Sequence, residues 1–140
     1  MAAGLRRQVI WDICEKILTA GALKLGGTGR ETRDFIHAGD VAAGLALLVE
    51  KAQAEGEIYN LATGRETSIA ELAKLLAAAL GQEIVPEFDG RNRPGDPLNW
   101  RADIAKLQAL GFAPGISLEA GLAEVAQLAT ATIGGRSFQA

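Results

Sequence analysis

One cysteine, one histidine, one tyrosine and one methionine occur among 140 residues, and most of these scarcities close a class of chemistry. Cys14 alone excludes an internal disulfide and a cysteine-built metal site. It lies among Ile10, Ile13, Ile17 and Leu18 at helical spacing and reads as a buried core thiol, a usage that suits a reducing compartment. His37 has no histidine or carboxylate at metal-ligand spacing, and at a strand end beside a helix start it reads as a structural, hydrogen-bonded residue. Tyr59 has Thr63 rather than a lysine four positions on, so it reads as a strand residue and not as half of an acid–base couple. Neither a Gly-x-Ser-x-Gly elbow nor a phosphate loop ending in Gly-Lys-Ser or Gly-Lys-Thr is present. No apolar run approaches the ~20 residues of a membrane span. Arg6 and Arg7 are not followed by a signal-peptide pattern. The net charge of −3 provides no basic field for nucleic acid, so an anionic ligand must be held by a few local arginines. These exclusions lead us to expect a soluble, cytoplasmic protein.

What is present is the composition of one ordinary globular domain, 49% hydrophobic and 22% charged, with enough chain for a core. Helical and extended patterns alternate. Val9, Ile10, Ile13, Ile17 and Leu18 mark a first amphipathic helix ending near Gly21. Leu23-Lys24-Leu25 reads as a short strand broken by Gly26-Gly27-Thr28-Gly29, and Thr32 to His37 as a second extended stretch. Asp40 is expected to open a long helix with Val41, Leu45, Leu48 and Val49 on one face. Glu57 to Ala62 is the best strand candidate. Ser68-Ile69-Ala70-Glu71 has the form of a capping box for a helix through Leu72, Leu75, Leu76 and Leu80. Ile84 to Phe88 reads as extended, Asp103 to Gly111 as a short helix, and Ser117 as the cap of a last helix through Leu118, Leu122, Val125 and Leu128. Residues after Leu128 show no period and are expected to form a poorly ordered tail. The few, short, helix-separated strands cannot make a full doubly wound sheet, so the expected class is α/β, an α+β-like fragment.

Two polar loops bear arginines, Gly26–Arg33 and Gly90–Asp96, and there ligand contacts are expected. An arginine fork donates parallel hydrogen bonds to phosphate oxygens, so Arg33 and Arg93 from separate loops can grip a diphosphate from two sides. Asp96, beyond a Pro-Gly turn, can accept from a sugar hydroxyl. The glycine run at 26–29 lacks dinucleotide-fingerprint spacing and leads into a strand instead of opening a helix.

Several blocks fall in an order that resembles the extended short-chain dehydrogenase/reductases of the UDP-glucose 4-epimerase and dTDP-glucose 4,6-dehydratase kind. These blocks are Arg33-Asp34-Phe35-Ile36-His37, Gly39-Asp40-Val41-Ala42, Gly56 to Gly64, Ser68 to Leu72, Arg93-Pro94-Gly95-Asp96, Ala102 to Lys106, Leu110 to Pro114 and Ser117 to Leu122. The resemblance implies that Arg33 and Arg93 hold the diphosphate of a UDP- or dTDP-hexose, that Asp96 contacts the ribose, and that Leu23 to Gly27, with Lys24 and Gly26, lies beside the base. It also implies that residues 1–128 form the carboxyl-terminal, substrate-binding lobe of such an enzyme, followed by the 129–140 tail. The family's Gly-x-x-Gly-x-x-Gly loop for NAD and its Tyr-x-x-x-Lys couple are not found in this sequence. Gly26 stands where an aromatic often stacks on the base, a contact worth ~1–3 kcal/mol in comparable sites. Phe35 stands where some epimerases have tyrosine, and Gly39 replaces a frequent aspartate.

The expectation is therefore a truncated or split nucleotide-sugar epimerase or dehydratase. It would keep the diphosphate-binding lobe, hold no NAD itself and catalyse nothing alone. Its partner would be a second copy of itself or a separate NAD-binding chain. The alternative is a stand-alone nucleotide-sugar-binding or self-associating module.

Overall fold

Residues 8–53, 55–91 and 94–134 are described by a computed structural model. The three-four spacing of Ile10, Ile13, Cys14 and Ile17 forms helix α1 (Val9–Ala20), and Gly21 ends it in a left-handed conformation. Its buried face carries Trp11, Ile13, Cys14 and Ile17. That face meets α3 (Ile69–Ala79) and α5 (Leu118–Ala129), and Leu72, Leu76 and Leu122 complete a core in which Ala73 and Ala77 let the helices approach closely. Burial pushes the Cys14 thiol up to about 11, slightly offset by a backbone hydrogen bond, so this thiol is an inert part of the packing.

The strands are two-residue ladders. β1 (Lys24–Leu25) pairs in parallel with β4 (Glu87–Phe88), Lys24 against Glu87 and Leu25 against Phe88. β2 (Thr32–Arg33) pairs antiparallel with β3 (Thr67–Ser68), Thr32 against Ser68 and Arg33 against Thr67. With α2 (Ala38–Lys51) and the one-turn α4 (Ala105–Gln108), the described residues form five α-helices and few short strands. This is the expected α/β class.

Four local expectations change. Glu57–Ala62 forms no strand: no ladder partner lies beside it among the described residues, and Ile58 is 84% exposed. Side chains hold the segment instead, with Asn60 Nδ2 donating to the Asp103 carbonyl at 2.9 Å and Lys106 Nζ to that of Ile58 at 3.3 Å. Second, α2 starts before Asp40. His37 Nδ1 caps it by accepting from Gly39 N, which frees Asp40 to turn inward, where it is buried and accepts from Gly115 N (2.9 Å) and Ile116 N (3.1 Å). Third, only the serine half of the capping box forms, Ser68 Oγ accepting from Glu71 N at 3.1 Å. Finally, Thr130–Gly134 is a π-helical turn packed on α1, with Ile133 against the core and Thr130 Oγ1 donating to the Ala126 carbonyl at 2.8 Å. The rest of the expected tail, 135–140, lies outside the described residues.

Helix α2 stands apart from the three-helix core. It approaches the rest of the chain at Gly44, where a Cβ would collide with the Leu61 side chain and meet the Phe112 ring at 3.1 Å. Leu45 and Val49, on the apolar face of this helix, are 54% and 89% exposed.

Leu72 has no exposed surface and belongs to the core cluster that α1, α3 and α5 share. Leu72→Ala should lower the unfolding free energy by about 2–5 kcal/mol, read as a lower urea midpoint with unchanged slope. A midpoint equal to that of the wild type would show that the core does not close on this residue.

Candidate functional site

The glycine-rich loop is held at several backbone groups. Gly27 N donates to Asp89 Oδ1 (3.0 Å), and the Gly27 carbonyl accepts from Gly90 N (2.9 Å). The carbonyls of Gly29 and Glu31 accept from Ala70 N (3.0 Å) and Ile69 N (2.9 Å), filling the first orphan amides of α3. Gly29 has φ +77°, and a Cβ there would lie 2.7 Å from the Phe88 ring, so the close passage of this loop over β4 requires glycine. Thr28 N and Oγ1 both donate to the Glu31 carboxylate, at 2.9 Å each. Burial works to raise the Glu31 carboxyl, but hydrogen bonds from Thr28 and the neighbouring amides outweigh it and hold the pKa below its ordinary value.

The second polar loop closes against the first. Thr32 N donates to the Leu98 carbonyl at 2.7 Å and Trp100 N to Thr32 Oγ1 at 3.2 Å. Arg33 Nη1 donates to the carbonyls of Thr32 (2.7 Å) and Pro97 (2.9 Å), its Nη2 donates to Asp96 Oδ1, and its guanidinium lies 5.4 Å from the centre of the Trp100 ring. Three of the five N–H donors of this arginine are thus engaged within the chain. On its other side, Asp34 receives Thr63 N (2.9 Å), Thr63 Oγ1, Gly64 N (2.9 Å) and Ala102 N (3.4 Å).

Between the loops and α1 lies a cavity of about 660 Å³ that includes Gly26, Arg30, Arg33, Arg91 and Asp96 in its lining. Of the expected residues, Gly26, Arg33 and Asp96 are brought together here. Lys24 is not: its side chain is exposed and paired with Glu87 at 3.8 Å, outside the lining. A base beside β1 would meet backbone there rather than the Lys24 ammonium. Arg93 lies outside the described residues. Phe35 packs against the core and lines a different cavity of about 1050 Å³ that contains none of the expected ligand residues. Sequence reasoning missed Trp100 as the aromatic beside Arg33, since a contact across 67 positions leaves no local pattern. It also passed over Arg30 and Arg91 as ligand residues.

The loop does not fit a dinucleotide. The Thr28 amide is occupied by Glu31, and the segment runs into β2 rather than into a helix N-terminus that could face a pyrophosphate. Tyr59 lines neither cavity. Its hydroxyl donates to Glu57 at 2.8 Å, and that bond holds the phenol above its ordinary pKa, the reverse of what a phenolate base needs.

The profile of the NAD dependent epimerase/dehydratase family matches residues 2–62. GDP-L-fucose synthase of Sinorhizobium fredii is 35% identical over 109 residues, 78% of this chain and 34% of its own length. UDP-glucose 4-epimerase of Mycolicibacterium smegmatis is 32% identical over 120 residues, 85% of this chain and 38% of its own. Among solved structures, UDP-glucose 4-epimerase of Thermotoga maritima with UDP-glucose superposes with a TM-score of 0.78 at 30% identity, over 90% of this chain and 40% of that one. The chain belongs to the NAD-dependent epimerase/dehydratase family, and it spans between 34% and 38% of the length of these curated relatives.

Because the Glu31 carboxyl is held below its ordinary value, the stabilisation it gives the Thr28 turn is fully present above the ordinary glutamate value of ~4.3 and is lost as pH falls through the lower folded value. Hydrogen exchange at the Thr28 amide should accelerate, relative to its intrinsic rate, on acidification below that range. Glu31→Gln should show the faster exchange already at neutral pH. Equal protection in the two proteins at neutral pH would mean that the carboxylate does not order the loop.

Proposed function

We propose that this chain is the nucleotide-sugar-binding lobe of an epimerase/dehydratase-family enzyme, with the 660 Å³ cavity as its diphosphate site. The observation that carries the reading is the joining of two sequence-distant polar loops around Arg33 and Asp96, with glycine backbone and further arginines on the same wall. Arg33 keeps two N–H donors for a ligand, and the motif around Arg93, which lies outside the described residues, supports the same reading. Asp96 is the candidate ribose contact once ligand draws Arg33 towards phosphate. The bound UDP-glucose of the Thermotoga maritima relative supports the ligand class. Dinucleotide-binding and proton-abstracting residues would come from a longer chain or a separate partner.

Calorimetry with UDP tests this. We expect dissociation constants of the order of millimolar, because no aromatic platform replaces Gly26. Arg33→Ala should weaken binding further, as should added salt. Wild type and Arg33→Ala binding UDP equally well would remove the clamp from the reading.

A second reading concerns assembly. Leu45, Val49 and Ile58 are exposed apolar side chains on α2 and the segment after it, and we propose that this face docks a second copy of the chain when no other partner covers it. Light scattering at micromolar concentration should give a dimer mass, reduced to the monomer by Val49→Asp. A monomer mass for the wild type would overturn the self-association.

A further inference from the structure

We infer that Arg30 and Arg91, whose guanidinium groups have no partner among the described residues, supply the positive charge that first attracts the ligand's phosphates, beside Arg33, which is already paired with Asp96. The inference rests on the diphosphate reading above and goes beyond it in assigning two further specificity-determining residues. It follows from accounting for the charges in the cavity. Lys16 is paired with Asp12 at 2.7 Å, and Arg33 with Asp96. The Glu31 carboxylate accepts from the Thr28 amide and hydroxyl and keeps its charge, so the four basic and three acidic side chains of the lining leave a surplus of one positive charge. Asp89 is engaged too, accepting at Oδ1 from Gly27 N (3.0 Å) and from the backbone N of Arg91 (2.9 Å). Among the described residues, the guanidinium groups of Arg30 and Arg91 have neither a carboxylate nor a carbonyl partner, yet both line the cavity.

Both side chains leave a backbone that is already fixed. Arg30 N donates to Thr28 Oγ1 at 3.3 Å inside the loop held by β4 and α3. Arg91 follows directly on the Gly90–Gly27 bond that ties the two loops together. Rigid roots reduce the entropy lost when these arginines close on an anion. One arginine on each loop suits a bridge that is anionic on both phosphorus centres, where each guanidinium can take its own phosphate. The cavity should therefore prefer a diphosphate to a monophosphate.

Calorimetry with UDP, UMP and inorganic pyrophosphate distinguishes the roles. Arg30→Ala and Arg91→Ala should each weaken UDP binding roughly five- to tenfold, and the double variant should show a shallower dependence on salt. Arg65→Ala removes the same formal charge from an exposed site on the other cavity, and should change UDP binding less than about twofold. Preference for UDP over UMP should largely disappear in the double variant and persist in Arg65→Ala. If the double variant binds UDP as the wild type does while Arg33→Ala does not, the diphosphate site stands and the roles assigned here are wrong. If neither UDP nor pyrophosphate binds the wild type, this inference falls together with the reading beneath it.

Discussion

Arg33 and Asp34 are consecutive, and the opposite sides to which they turn organise the loops of this molecule. In extended backbone, successive side chains point to opposite faces, so one short ladder can address two surfaces at once. Arg33 reaches the 96–100 loop, and Asp34 gathers the amides of Thr63, Gly64 and Ala102. An ionised carboxylate that accepts several backbone N–H groups makes charge-assisted bonds, roughly twice as strong as neutral ones. Removing it would leave those amides unsatisfied in a half-buried place, and the larger cost comes from that loss of partners. The candidate site and the loops behind it are therefore held by two adjacent residues of opposite charge.

Asp40 repeats the device six positions later, in the first turn of α2. Its carboxylate accepts from Gly115 and Ile116, just before the Ser117 cap of α5. It thereby links α2, which lies off the core, to the last core helix. With Gly44 permitting close approach to Leu61 and Lys51 donating to the Leu110 carbonyl at 3.3 Å, α2 is attached along its length by polar and steric contacts, while its apolar face remains open to solvent. A helix so placed is held in position without contributing much to the core, which suits an element whose apolar face serves contact with something else.

The helices were legible because their information is local. Ile13, Cys14 and Ile17, or Leu72 and Leu76, repeat at helical spacing, and Gly21, Ser68 and Ser117 mark their ends. Arg33 and Asp96 were legible through motifs. What escaped depends on contacts between distant positions. Glu57–Ala62 has the composition of a strand, but a strand needs a neighbour, and no residue within the segment reports that none is there. Asp40 has the identity of a cap, yet its place was decided by amides 75 positions away. Lys24 lies on β1, but its exposed pairing with Glu87 depends on a parallel ladder formed across 63 positions. Arg30 and Arg91 look like any arginines in a polar loop until the carboxylates around them are matched with their own partners.

The core closes between the first helix and the last. α1 packs against α5 and the Thr130–Gly134 turn, across roughly a hundred residues of intervening chain, while α3 bridges the two from the middle. Closing a loop of that length carries an entropic penalty before the contact returns any stabilisation, and such distant contacts slow folding. During synthesis, Ile13, Cys14 and Ile17 lack their α3 neighbours until Leu72 and Leu76 appear. They gain their full surroundings only when α5 has left the ribosome. Until then the face of α1 that later forms the centre of the molecule is a sticky, half-dressed surface, and the nascent chain is most open to misassociation in that interval.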